Sequence, residues 1–368
     1  MYSTQKLLMI KAGLYLLLVA FAGSSSVLAF DHPPIRTGIW VTQKLPTDDK
    51  TLSEFSEQMK ANPDLSGICL HIPWEWIEKE SGKPDLSAVD RAVAEIHSAG
   101  KNYQICLKPG ANTPSFVYAE GAKAFATQVT NPHRANVGQA IKIPIPWDPI
   151  YERDYTRIIQ RLGERYSKDP ACISVVLTCA NFLSAEMHLP KTRSELTRWQ
   201  SLGDYETKLL EVYRNFMGIW ANAFPKQEIS LHISKVLDLP PSFLERIIDY
   251  GLSKYPERFT IQNCQLTGRK EDGGMMTYDL VQKYRDRAHH GFQSLAGLSH
   301  PNDRMGSTEM AALNVVHAGG EYWELWHGDG FNVETSRAVV EAWQEAKQLG
   351  YEGYKKKLIS EGKYRQGR

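Results

Sequence analysis

The feature that most constrains this chain is an alternation. Short apolar runs of strand length are separated by stretches in which apolar residues recur at helical spacing. That rhythm predicts a parallel sheet with crossover helices rather than hairpins. The expected strands are Thr37–Thr42, Gly67–Ile72, Tyr103–Lys108, Ile173–Cys179, Ile229–Ile233, Phe259–Cys264, Phe292–Leu298 and Tyr322–Trp326. Eight is the number that closes a barrel, so the expected fold class is α/β, a single-domain (β/α)8 barrel. The helices fall between them, at Leu52–Ala61, Leu86–Ala99 (stopped by Gly100), Asp154–Tyr166, Tyr205–Ala223, Ser242–Lys254, Thr277–His289, Thr308–His317 and Thr335–Leu349. The barrel is expected over 30–350, with a frayed basic tail over 351–368. Between Pro109 and Pro149 helical cues are few; a loop of that length carries short elements of its own or a function, and after the third strand it lies over the mouth.

The first residues point to export. Lys6 and Lys11 precede an apolar run, Leu14 to Ala22, and small residues lead to Val27-Leu28-Ala29. This is the layout of a secretory signal over 1–29, cleaved after Ala29, with a secreted or periplasmic mature protein. A membrane anchor is the competing reading, because the apolar stretch is only slightly short for one. With 43 basic and 42 acidic residues, neither nucleic acid nor a charged membrane surface is an expected partner. The five cysteines all lie in or beside expected strands, with no CxxC or zinc spacing. Buried free thiols are favoured over a disulfide framework, and no metal or other cofactor is implied.

Side chains alternate across a strand, so the apolar face should meet the helices and the other face the barrel axis. This parity sends Cys69 and His71 inward on the second strand, and Gln104, Cys106 and Lys108 on the third. On the fifth it sends His232 and Ser234 inward, and on the eighth Tyr322, Glu324 and Trp326. The inward sets become polar toward the strand ends, where sites in such barrels sit.

Two carboxylates stand out. Glu186 lies a few residues beyond the fourth strand, flanked by Ala185, Met187, Leu189 and Pro190. Partial desolvation at the rim would raise its pKa and let it carry a proton to a leaving group. Glu324 lies on the inner face between aromatics, where a lone charge is costly; it is either the second reacting carboxylate or half of an ion pair with Lys108. Strands four and eight face each other across the ring. Carboxylates on opposite walls suit a separation of about 6.5–9.5 Å, which leaves room for a water between them, better than about 5 Å.

The stretch His71-Ile-Pro-Trp74-Glu-Trp76 through Gly82 to Asp90 resembles the segment after strand two of barrel glycosidases. Lys108-Pro-Gly110-Ala-Asn112-Thr-Pro114-Ser-Phe116 resembles their strand-three exit, and the strand bearing Glu186 resembles the acid/base segment of β-galactosidase- and β-amylase-type barrels. The resemblance covers about the first half of the mature chain and implies a glycoside hydrolase acting on an oligo- or polysaccharide. There are departures. Asn181 stands five residues before Glu186 rather than directly before it, and the seventh strand ends Ala296-Gly-Leu-Ser-His300-Pro301, with no carboxylate until Asp303 where the family's nucleophile is expected.

Aromatic residues cluster at expected strand ends, at Trp74, Trp76, Trp147 and Trp326; Trp74 and Trp326 are the better candidates for stacking on sugar rings, and Trp147 for ordinary packing. Asn181, His188, His232, Gln262, Asn263 and His300 are candidates to bond hydroxyls, with His71 and Lys108 beside them. His289-His290, at the end of an expected helix, suit a surface position rather than metal ligation. Other readings stay open: a carbohydrate-binding barrel without hydrolysis, or a lyase using His71, His232 or Lys108.

Overall fold

A computed structural model describes residues 34–132, 135–271, 275–298 and 304–367. The expected leader over 1–29 lies outside the described residues. No helix among the described residues is long and apolar enough to cross a membrane.

The barrel closes. Its walls are β1 (Gly38–Lys44), β2 (Leu65–Pro73), β3 (Asn102–Lys108), β6 (Cys172–Val176), β7 (Glu228–Ile233), β8 (Phe259–Leu266), β9 (His289–Ser294) and β10 (Tyr322–Trp326), with β10 returning to β1. Every neighbouring pair in the ring is parallel. An antiparallel hairpin, β4 (Ala124–Gln128) with β5 (Ala140–Pro144), occupies the long segment after β3. Helices α1 (Asp49–Ala61), α2 (Ser87–Ser98), α3 (Pro149–Tyr166), α4 (Arg193–Ser201), α5 (Tyr205–Ala223), α6 (Pro241–Lys254), α7 (Met276–Tyr284), α8 (Thr308–Ala318) and α9 (Val333–Ser360) supply the outer layer.

Local chemistry sets several boundaries. Asp148 caps α3, its carboxylate accepting from the amides of Ile150 and Tyr151, while Pro149 takes the first turn, where a missing N–H costs nothing. The amphipathic stripe of α2 buries Val89, Ala92, Val93 and Ile96 against the strands. The outward faces of β2 and β3 (Ile68, Leu70, Ile72, Tyr103, Ile105 and Leu107) are fully buried in the same core. Inside the ring, Trp40, Ile173 and Tyr322 fill the floor. Gly67 permits this, because a Cβ there would stand 2.5 Å from the Trp40 ring.

Two expectations about secondary structure fail. The helix expected to reach His289 stops at Tyr284, and His289 and His290 open β9. Strand pairing decides this: His290 lies buried between the carbonyls of Ala288 and Ala318, and His289 bonds the Glu321 carboxylate at 2.8 Å. The tail is not frayed. Helix α9 kinks at Gly350 (φ 66°), and its second arm buries Tyr354 and Leu358. Glu271 holds that arm, accepting from Lys355 and from the hydroxyls of Tyr351 and Tyr364.

Candidate active site

The polar interior starts from a residue that sequence parity did not single out. Arg36, immediately before β1, is completely buried and reaches up into the ring. Its guanidinium bonds Glu228 Oε1 at 2.9 Å, Gln104 at 2.9 Å, Gln262 at 3.1 Å, Ser230 at 2.7 Å, and the Tyr322 hydroxyl. Burial alone would favour losing its proton, but Glu228, Tyr322 and Glu324 outweigh that and hold the cation firmly charged.

Glu324 stands above this floor, with no exposed surface. It faces the axis, as parity expected: Trp323 and Leu325 lie in the outer core. Its Oε1 accepts from Gln293 at 2.6 Å and from Gln262 at 3.5 Å, and its Oε2 lies 3.6 Å from Arg36 Nη1. The cation paired with it is therefore Arg36, not Lys108. Burial raises the Glu324 pKa above the ordinary carboxyl range, against the opposing pull of Arg36, His71 and Gln293. On β9, the strand in seventh place, the residue next to Glu324 in register is Gln293, an amide.

Glu186 is carried by the loop leaving β6. Asn181 shapes that loop: its side-chain oxygen accepts from the Cys179 amide at 2.8 Å, and its Nδ2 donates to the carbonyls of Ala185 and Glu186, each at 2.8 Å. The Met187 amide then joins the His232 carbonyl at the end of β7. Asn181 is 4% exposed, and its side chain is spent on backbone, so it positions Glu186 rather than offering bonds to a ligand. The carboxylate of Glu186 acts on the Cys264 thiol, as that of Glu324 does; both help hold the thiol protonated, though burial contributes most. Cys264 alternates with Gln262 on the inner face of β8, so both acids approach the same interior from different walls. Oε2 of each is buried without a hydrogen-bond partner among the described residues.

Nε2 of His71 and Nε2 of His232 share that condition. His232 is 1% exposed, and burial, reinforced by Arg36 and His71, pushes its pKa far below the usual imidazole value. It is a neutral imidazole, able to donate or accept one proton.

Of these groups, His71 lines a cleft of about 500 Å³, together with Lys44, Glu75, Trp76, Lys108 and Trp326 among others; Glu186 and Glu324 are not part of its lining. Trp326 is 38% exposed, with its indole N–H anchored on the Ser294 carbonyl, leaving a ring face at the mouth. Lys44 lies 4.1 Å from the centroid of Trp76. Glu75, at the exposed rim, is pushed above the ordinary carboxyl range by partial burial. The segment after β3 contributes Ala111, Asn112 and Asn136 to the same wall, so it does lie over the mouth.

Several expected site residues lie elsewhere. Trp74 is completely buried, wedged between Phe116, Tyr151 and Tyr155 with its N–H on Glu78, and presents no face to a ligand. Asn263 points to the helical layer, where its Nδ2 meets Thr277 at 3.3 Å and its oxygen accepts from the Gln265 amide. Gln262 faces the axis, but its polar atoms are engaged by Arg36, Tyr322, Glu324 and Cys264. Trp147 packs beside Trp199 under the hairpin. His188 is half-buried with its ring 6.1 Å from that of Phe182. His300 and Asp303 lie outside the described residues.

Closed ring, parallel strands and a polar mouth define a (β/α)8-barrel protein with its candidate site at the C-terminal strand ends. No family model matches the chain, and no curated protein does. Solved structures do. The catalytic domain of β-amylase from Paenibacillus polymyxa superposes with a TM-score of 0.53 at 10% identity, over 79% of this chain and 93% of that one. The β-galactosidase from the psychrophilic Marinomonas ef1 gives 0.57 at 11% identity, over 88% and 60%. The cold-adapted β-galactosidase from Rahnella sp. R3 gives 0.54 at 11%, over 86% and 57%. This chain thus spans less than two thirds of those two galactosidases. What it shares with all three at such identities is the fold, a single-domain barrel of the kind found in these glycoside hydrolases.

Proposed function

We propose that this chain is a glycoside hydrolase that cleaves a glycosidic bond in an oligo- or polysaccharide, with Glu186 as general acid and Glu324 as the second carboxylate. The observation that carries this reading is that the two acids come from opposite walls of the ring, after β6 and on β10, each with a buried Oε2 that accepts no hydrogen bond among the described residues. Glu186, partly exposed at the rim, can reach a leaving-group oxygen. Glu324 can orient or deprotonate a water once substrate displaces bulk solvent. Acids on opposite walls leave room for that water, so the product should carry the inverted anomeric configuration. Trp326 and Trp76 provide flat apolar surface for a sugar ring, and Lys44, His71, Lys108 and Asn112 surround it with polar groups. The leader over 1–29 would deliver the enzyme outside the cytoplasm.

The test is hydrolysis of a panel of aryl glycosides and oligosaccharides by the protein and its Glu186→Gln and Glu324→Gln variants. Loss of about 10²–10⁴-fold in kcat for each, with ligand binding retained, is expected. Full activity in both variants removes the assignment. The pH–rate profile should be bell-shaped, and its acid limb should lie above the ordinary carboxyl value, because Glu324 must ionise to act and burial opposes that. A second reading has one observation in its favour. Glu324 is wholly enclosed and bonded to Gln293 beside Arg36, as a structural carboxylate would be. Sugar binding by the unsubstituted protein without turnover on the whole panel would favour a non-hydrolytic carbohydrate-binding barrel.

A further inference from the structure

The pairing of β2 with β3 brings together three groups that are scattered in sequence. In that parallel register Cys69 stands opposite Gln104, and His71 opposite Cys106. All of Cys69, His71 and Cys106 project to the inner face, where Cys69 and Cys106 pack with Val176 and Ala185. One ligand atom from each of the three lies within 4.8 Å of the others. Both thiols are free and completely buried, and Nε2 of His71 is buried without a hydrogen-bond partner.

From this juxtaposition we infer a binding site for zinc(II), with Cys69 and Cys106 as thiolate ligands, His71 as the imidazole ligand, and the fourth position open to the cleft. Two thiolates and an imidazole are a soft-to-borderline donor set, which selects zinc over magnesium or calcium. Zinc bonds of about 2.3 Å to sulfur and 2.0–2.1 Å to nitrogen require ligand atoms about 3.5–3.8 Å apart in a tetrahedron. Separations of no more than 4.8 Å reach that range with a side-chain adjustment of about 1.3 Å at most. The ligands sit on adjacent strands of a closed barrel, so their backbone is fixed before metal arrives. Charge closes as well: two thiolates neutralise the dication, and binding releases the two thiol protons. Because His71 also lines the cleft, the fourth coordination position faces solvent, an arrangement of three protein ligands plus water. The inference stands apart from the hydrolase reading, because its readout is metal rather than turnover.

The experiment uses the full chain, reduced and dialysed against chelator, then titrated with zinc chloride in the presence of a competing chromophoric chelator. One zinc per chain is expected. Cobalt(II) in its place should give thiolate-to-metal charge-transfer absorption. Cys69→Ala and Cys106→Ala should each weaken zinc binding by more than about a hundredfold, the upper end of what loss of an outer-shell partner costs. Should either variant fail to fold, the unsubstituted protein still decides the matter. Stoichiometric zinc should raise its unfolding midpoint, as a ligand bound only by the folded state must, and magnesium at the same concentration should not. Absence of stoichiometric zinc, undiminished binding in both variants, or a Cys69–Cys106 disulfide in the unreduced protein overturns the inference.

Discussion

Replacing Arg36 by Met is the most informative single change in the barrel interior. Methionine keeps the apolar stem and removes a guanidinium that serves Glu228 at 2.9 Å, Glu324 at 3.6 Å, and four neutral partners. Breaking a buried ion pair by removing one partner costs about 3–5 kcal/mol, and here one cation serves two enclosed carboxylates. The cost has a ceiling. A stranded carboxyl can take up a proton instead, at about 1.4 kcal/mol per pH unit above its ordinary pKa, or about 3.5 kcal/mol at pH 7. A loss of roughly 4–6 kcal/mol at pH 7 follows, a large part of a typical domain's stability. Glu324 fixes the sign of the pH dependence. Burial already raises its folded pKa, and Arg36 opposes that rise, so the variant raises it further. A folded form that holds the proton more tightly than the unfolded chain is favoured below the unfolded carboxyl value and loses stability as pH climbs through the window above it. The deficit should therefore shrink to about half near pH 5. Urea unfolding of both proteins at pH 5 and pH 7, compared by midpoint, measures it. A deficit under about 1 kcal/mol, or one that does not change with pH, would refute the claim that Arg36 neutralises this interior.

Other consequences concern the loop that carries Glu186, and the tail. Gly110 has φ 68°, and a Cβ there would stand 2.3 Å from the Asn181 carbonyl; Gly110→Ala should cost at least about 2 kcal/mol and, by displacing the Glu186 loop, lower kcat more than it raises KM. Asn181→Ala removes three hydrogen bonds to that loop and should cost about 1–3 kcal/mol in chemical unfolding, again with kcat affected before KM. Truncation after Gly350 strips away buried Tyr354 and Leu358 and should lower the melting temperature by several degrees; an unchanged Tm would mean that the second arm of α9 adds nothing.

Much of the architecture is written in periodicity. A strand's inner and outer residues differ in polarity because only the outer face meets apolar helices, so parity alone places Cys69, His71, Cys106, His232 and Glu324 on the axis, and the structure agrees. The same rule would have excluded Asn263, since Gln262 and Cys264 on either side of it face inward.

Other features were beyond the reach of local pattern. Trp74 follows a strand end and resembles a stacking platform, but Phe116, Tyr151 and Tyr155 arrive from later parts of the chain to enclose it. Arg36 precedes β1 with no local sign that it turns inward; its partners come from β3, β7, β8 and β10 and meet only when the ring closes. Cys69, His71 and Cys106 have no metal-like spacing, because the spacing that matters is strand register. Sequence by itself determined the eightfold alternation and which face of each strand looks inward, since those follow from burial of a repeating pattern. Closure decided the rest: which inward residues touch, which charge balances which, and where the cleft opens all depend on contacts between residues far apart in the chain.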